Sequence, residues 1–223
     1  MDIEAASRAI VEKAPPASSV VVSLGRSPAA VAAMLEARHP GYVHELPLSG
    51  FREQILDAPE KALLFAHFRR MLPPAASLAG KEVVLLDAAM TGNSAIAVTI
   101  HLREFLAEYA PTAKLRTVVM MAMPTKSGAQ KMISAMAKQG GVEVEAMEVG
   151  ENLRVDFKQQ RFDHLARYQS FHLGKDSAPI LNPGHQKLQK DLRQWIDIRA
   201  KKFSDPAQEC AAWSLWRGIS PAH

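Results

Sequence analysis

Cysteine is nearly missing from this chain of 223 residues. Cys210 is the only one, so no disulfide can form within a single copy, and a structural zinc site built on cysteines has no basis. Nothing around Cys210 marks it as an activated thiol. Aromatic residues are also scarce, at 6%. That leaves few rings for a stacking platform on single-stranded nucleic acid, which is therefore not an expected partner. No run of 18 apolar residues occurs, so neither a membrane span nor a membrane partner is expected. The first residues, Met1-Asp2-Ile3-Glu4, carry two acids and no apolar stretch of the secretory kind. Together with the single cysteine, this points to the cytoplasm. The eight histidines show no His-x-x-x-His spacing, so no metal site held by the chain itself is expected. A Gly-x-Ser-x-Gly nucleophile elbow is absent as well.

The charge that is present sits unevenly. Residues 1–150 hold 15 Lys+Arg against 15 Asp+Glu, while residues 151–223 hold 12 against 8, so the net charge of +4 belongs to the tail. A basic excess of this size suits a solvated face, or an anionic ligand or acidic partner.

Strand and helix patterns alternate through the first 150 residues. Helices are expected at Ile3–Lys13, Ala29–Arg38, Pro59–Leu72, Ser94–Glu108 and Lys126–Lys138, each closed by Pro, Gly or a polar turn. Short apolar strands are expected at Val20–Val22, Tyr42–Leu46, Glu82–Leu86, Leu115–Met123 and Val142–Met147. The central strands are continuously apolar rather than alternating, as in a parallel sheet buried on both faces. The expected architecture is α/β: a mainly parallel five-stranded sheet with helices on both faces over residues 1–150. Residues 151–223 form an irregular and helical extension that packs on this core. Within it, helices are expected at Gln186–Lys202 and Ala207–Arg217, and Phe157, Phe162, Tyr168 and Phe171 are scattered between Glu151 and Pro183. These aromatics, with Arg161, Arg167 and Lys175, suit packing on the sheet, a base pocket or a homodimer interface.

The segment most suggestive of chemistry is Val83-Val84-Leu85-Leu86-Asp87-Ala88-Ala89-Met90-Thr91-Gly92-Asn93-Ser94. A buried strand ends on one acid, and a loop of small and hydroxyl residues then opens an apolar helix. Loop amides and a helix N-terminus attract phosphate. Asp87 can accept hydrogen bonds from sugar hydroxyls, or hold Mg²⁺ through water. The plain alternative is that Asp87 caps the loop and Thr91 caps the helix. A second loop, Gly25-Arg26-Ser27-Pro28, follows the first strand. Gly25 allows close backbone approach, Arg26 offers a fork of donors, Ser27 can donate or cap, and Pro28 suits the first turn of the next helix. Here the plain alternative is a strand-to-helix turn with a solvent-facing Arg.

Together the two loops resemble the type I phosphoribosyltransferase fold over roughly residues 18–150. In that family a pyrophosphate loop follows one strand, a flexible excursion comes next, and a strand bearing two acids leads into a Thr/Gly loop around a 5-phosphate. The resemblance implies that Gly25, Arg26 and Ser27 meet pyrophosphate, that Thr91, Gly92, Asn93 and Ser94 cradle the 5-phosphate, and that Asp87 serves the ribose hydroxyls as the catalytic-site acid. It implies Mg²⁺ as cofactor and a phosphosugar or nucleotide as ligand. Arg52, Arg69 and Arg70 of the excursion Pro47–Gly80 are further candidates for pyrophosphate. The chain departs from the family in having Leu86 and Ala88 on either side of a single acid, and an excursion that reads as helical. Three functions follow: phosphoribosyl transfer, a non-catalytic ligand-sensing or partner-binding member of the fold, and a phosphosugar isomerase. The last shares a Gly-x-Ser turn after its first strand, which Gly25-Arg26-Ser27 fits, but lacks an acid at the position of Asp87.

Overall fold

A computed structural model describes residues 3–89, 92–121, 129–151, 153–154, 166–183, 185, 189–191 and 194. The expected helices Gln186–Lys202 and Ala207–Arg217 lie mostly or wholly outside these residues, as do Phe157, Arg161 and Phe162.

The chain opens with α1 (Ile3–Lys13), whose Ile3, Ala6 and Ile10 are buried. Strand β1 (Ser19–Leu24) is buried along its whole length, as a run of three valines requires. Helix α2 (Ala29–Arg38) is almost all alanine and apolar residues, and every residue from Ala29 to Leu35 is buried. Pro28 stands at its N-cap, one position before the first turn expected for it. Strand β2 (Val43–Leu46) is short. Helix α3 (Ala58–Met71) starts at a capping box in which Asp57 accepts from the Glu60 amide at 2.8 Å and the Glu60 side chain accepts from the Asp57 amide. It stops ahead of Pro73 and Pro74, which cannot continue it. A single turn, α4 (Ala75–Leu78), buries Leu78 completely.

Strand β3 (Glu82–Ala89) runs three residues further than its apolar core suggested. It is followed by α5 (Asn93–Tyr109), β4 (Lys114–Met121), α6 (Ala129–Gln139) and β5 (Glu145–Glu148). Strand β5 begins later than the sequence pattern implied because the Val142 amide is still bonded to the Ala137 carbonyl, at the end of α6, at 2.9 Å. The expected helix residues Lys126–Gly128 and strand residues Ala122 and Met123 lie outside the described residues.

The five strands are all parallel, in the order β2-β1-β3-β4-β5. Alternate residues feed two layers. Val21, Val84, Leu86, Ala88, Val118, Met120 and Met147 pack with α1 and α2 on one face. Val20, Val22, Leu24, Val83 and Leu85 pack with α3 and α5 on the other. Val119 and Met121 extend the second layer to Ala95 of α5 and Ile133 of α6. Helices therefore cover both faces, which is why the central strands carry apolar residues at every position. Part of the extension joins the same body, since Leu153 and Ala166 are buried in the α1–α2 layer.

Candidate functional site

From β1 the chain first moves outward to β2 and then returns to the other side of β1 as β3. The order reverses between β1 and β3. A crevice at the carboxyl ends of such a strand pair is where open α/β sheets hold their ligands. Both turns singled out in the sequence border this point: Gly25–Pro28 leaves β1, and Gly92 leads from β3 into α5.

Gly25 has φ +63° and its amide donates to the Leu46 carbonyl at 2.9 Å. A Cβ built there would lie 3.3 Å from the Leu48 carbonyl oxygen. Both the left-handed conformation and the close neighbour call for glycine. The Arg26 carbonyl accepts from the Ala29 amide at 3.1 Å, which folds the turn into the start of α2. Arg26 and Ser27 are half-buried. Pro28 at the N-cap makes no side-chain cap.

The second turn enters α5 through Gly92, the N-cap, in the left-handed conformation (φ 73°, ψ 5°). A Cβ at Gly92 would meet Ile133 Cγ1 at 3.0 Å. The N-cap position is thus filled by a residue with no side chain, not by Thr91 as in the alternative reading. Thr91 and Met90 themselves lie outside the described residues. Asn93 and Ser94, in the first turn of α5, are half-buried, and Asn93 Oδ1 is buried with no hydrogen-bond partner among the described residues. Such an acceptor is costly unless something donates to it.

Ser23 pairs with Leu86, so Asp87 stands one residue beyond, level with Leu24. Asp87 is 5% exposed, and its Oδ1 accepts from the Ala88 amide at 2.7 Å. Burial raises its pKa from 3.8 to about 7, against the opposing pull of that amide. Near neutrality the carboxyl divides between a form that only accepts hydrogen bonds and one that also donates. Among the residues of β1 and β3 it is the only acid in either carboxyl half.

Two of the excursion arginines, Arg69 and Arg70, are engaged by ring side chains. Arg70 Nη2 is 3.2 Å from His67 Nδ1, and Arg69 lies over the Phe105 ring at 5.9 Å. Arg52 is exposed, its amide bonded to the Glu53 side chain at 2.8 Å. An apolar cleft between α1 and strands β3, β4 and β5 is lined by Ala9, Val84, Val118 and Met147, and none of the residues of the two turns lines it.

Two neighbours of the Gly25 turn were not tied to it by the sequence, although Glu45 and Leu46 read as strand and Arg167, Tyr168 and Phe171 as packing on the sheet. One is the wall Glu45–Ser49. The other is the segment Ala166–Asp176, whose polar, aperiodic composition hides its docking on that wall. Glu45, near the carboxyl end of β2, accepts from the Arg167 amide at 2.7 Å, and burial pushes its pKa up to about 7.

No family model matches the chain, and no curated protein or solved structure matches it.

Proposed function

We propose that the crevice between the Gly25–Ser27 and Gly92–Ser94 turns binds a phosphoribosyl compound, either phosphoribosyl pyrophosphate or a nucleotide. The observation that carries this reading is the placement of both glycine turns at the ends of β1 and β3, the strands that flank the reversal of strand order. Helix α5 presents its first amides there behind an N-cap that has no side chain. In this reading Thr91, Gly92, Asn93 and Ser94 would hold the 5-phosphate, and Gly25, Arg26 and Ser27 the pyrophosphate. Asp87 would take the ribose hydroxyls.

Transfer of the phosphoribosyl group would break the bond from C1 to pyrophosphate and form one from C1 to an acceptor. The chain would contribute positioning and electrostatic stabilisation of the departing charge. Asp87 is a lone, buried carboxylate, and among the described residues no three His, Cys, Asp or Glu side chains gather as a metal site. The described residues do not form a cage for Mg²⁺; the ion would arrive on the diphosphate of the ligand, as part of the substrate. The single acid favours a second reading, in which the same crevice senses a nucleotide or phosphosugar without catalysis.

Calorimetric titration with phosphoribosyl pyrophosphate, with and without Mg²⁺, tests both. Saturable binding should weaken about tenfold or more in Asp87→Asn, the worth of a buried hydrogen bond to a charged group. Mg²⁺-dependent binding supports transfer, and Mg²⁺-independent binding of a monophosphate supports sensing. Absence of binding by the wild type under both conditions refutes the phosphoribosyl reading.

A further inference from the structure

The run Glu45–Ser49 leaves β2 as a ribbon with two differently engaged sides. On the inner side, the Leu46 carbonyl receives the Gly25 amide at 2.9 Å, and the Leu48 carbonyl oxygen stands 3.3 Å from where a Gly25 Cβ would be. On the outer side, each alternate residue is tied to something else. The Glu45 carboxylate takes the Arg167 amide at 2.7 Å. The Pro47 carbonyl takes His67 Nε2 at 2.9 Å. The Ser49 amide donates to the Phe171 carbonyl at 2.7 Å, while Ser49 Oγ accepts from Ser170 Oγ at 2.9 Å and from the Phe171 amide at 3.3 Å. Period-two engagement of this kind is what an extended backbone provides.

The outer partners are themselves locked together. The rings of His67 and Phe171 stack 4.7 Å apart at 13°, and both residues are 2% exposed. With Arg70 at its Nδ1, His67 presents Nε2–H to Pro47. The segment that carries Phe171 is shaped by its own bonds: the Gln169 amide to the Ile180 carbonyl at 2.8 Å, the Asn182 amide to the Arg167 carbonyl at 2.8 Å, and the His172 amide to Asp176 Oδ2 at 2.6 Å.

We infer that the segment Ala166–Asp176 is a clamp that positions the Gly25 turn, with Ser49, Phe171 and His67 as its positioning residues. The ribbon passes the constraint on. When the clamp is docked, the Leu46 and Leu48 carbonyls are fixed against Gly25, and the turn is held in the shape that its left-handed glycine adopts. When the clamp is released, the ribbon loses two of its three outer anchors and keeps only Pro47–His67. The consequence for ligand rests on reading the Gly25 turn as an anion site. The mechanical coupling does not.

The test is residue-resolved hydrogen exchange on the full chain, run with and without inorganic pyrophosphate, on wild type, Phe171→Ala, Ser49→Ala and Ser49→Thr. Phe171→Leu, which keeps an apolar side chain without the ring stack, stands in should the alanine variant fold poorly. In Phe171→Ala, the Ser49 and Gly25 amides should both exchange about tenfold faster, the scale of one lost stack or hydrogen bond, while β3 and β4 keep their wild-type protection. Ser49→Thr should retain wild-type protection at Gly25, and Ser49→Ala should not. Pyrophosphate affinity should fall several-fold in the same variants that free Gly25. If Ser49 is freed and Gly25 is not, or if neither changes, the clamp is refuted. If wild type shows no protection by pyrophosphate, the anion-site reading fails on its own, and the Gly25 exchange rates still decide the clamp.

Discussion

Asp87, Glu45 and His67 are buried or partly buried ionisable groups, and each leaves its mark on stability against pH. Asp87 titrates near 3.8 when unfolded and near 7 when folded. Between those values the folded state holds the extra proton, so its contribution to stability falls as pH rises from about 4 to about 7. Glu45, raised from 4.5 to about 7, acts in the same direction. His67 acts in the opposite one: burial lowers its pKa from 6.5 to about 4, so its contribution is present above 6.5 and is lost as pH falls toward 4. The acids therefore dominate from pH 6.5 upward. Denaturant titrations should show wild type losing stability between pH 6.5 and 8, with Asp87→Asn and Glu45→Gln each removing part of the loss. An unchanged slope in both variants would contradict the burial argument. Asp87 was legible in the sequence as the one acid ending an apolar strand. Glu45 was not, because its burial depends on Arg167, distant in the chain and in a segment without periodicity.

Among the elements, the two glycine turns should be the least tolerant of substitution. Gly92→Ala forces a Cβ against Ile133 in a left-handed conformation, and Gly25→Ala forces one toward the Leu48 carbonyl. Each should cost about 1–3 kcal/mol by chemical denaturation. Asp57→Ala, which breaks the capping box of α3, should cost about 1 kcal/mol. Helices α1 and α2 were readable to the residue, because proline turns end or precede them and apolar residues mark the buried face of α1. The start of α3 was placed one residue late, although Asp57-Ala58-Pro59-Glu60 spells the box. Strand β5 was started too early, since apolar Val142 reads as strand while its amide completes the end of α6. The single turn α4 escaped notice because four residues cannot display a helical period.

For the molecule as a whole, alternation of strand and helix was enough to foresee a parallel sheet with two covered faces, and that is the architecture found. Strand order was not legible. Nothing local in β1 states that its second edge is taken by β3 rather than by β4 or β5. Because β3 is central with β1 and β4 on either side, the amides of these three strands should be the slowest to exchange, with β2 and β5 faster. Leu85→Ala, at a fully buried position in the layer under α3 and α5, should cost about 2–5 kcal/mol in denaturant titration. The pairing of β1 with β3 has a further consequence, for synthesis. A ribosome delivers the Gly25 turn early, the Asp87 strand much later, and Phe171 later still. Until β3 emerges, the apolar strand β1 has one edge without its permanent neighbour, the condition under which nascent chains attract chaperones or pair wrongly. The crevice thus comes into being only once β3 and the Gly92 turn have followed β1 out of the ribosome.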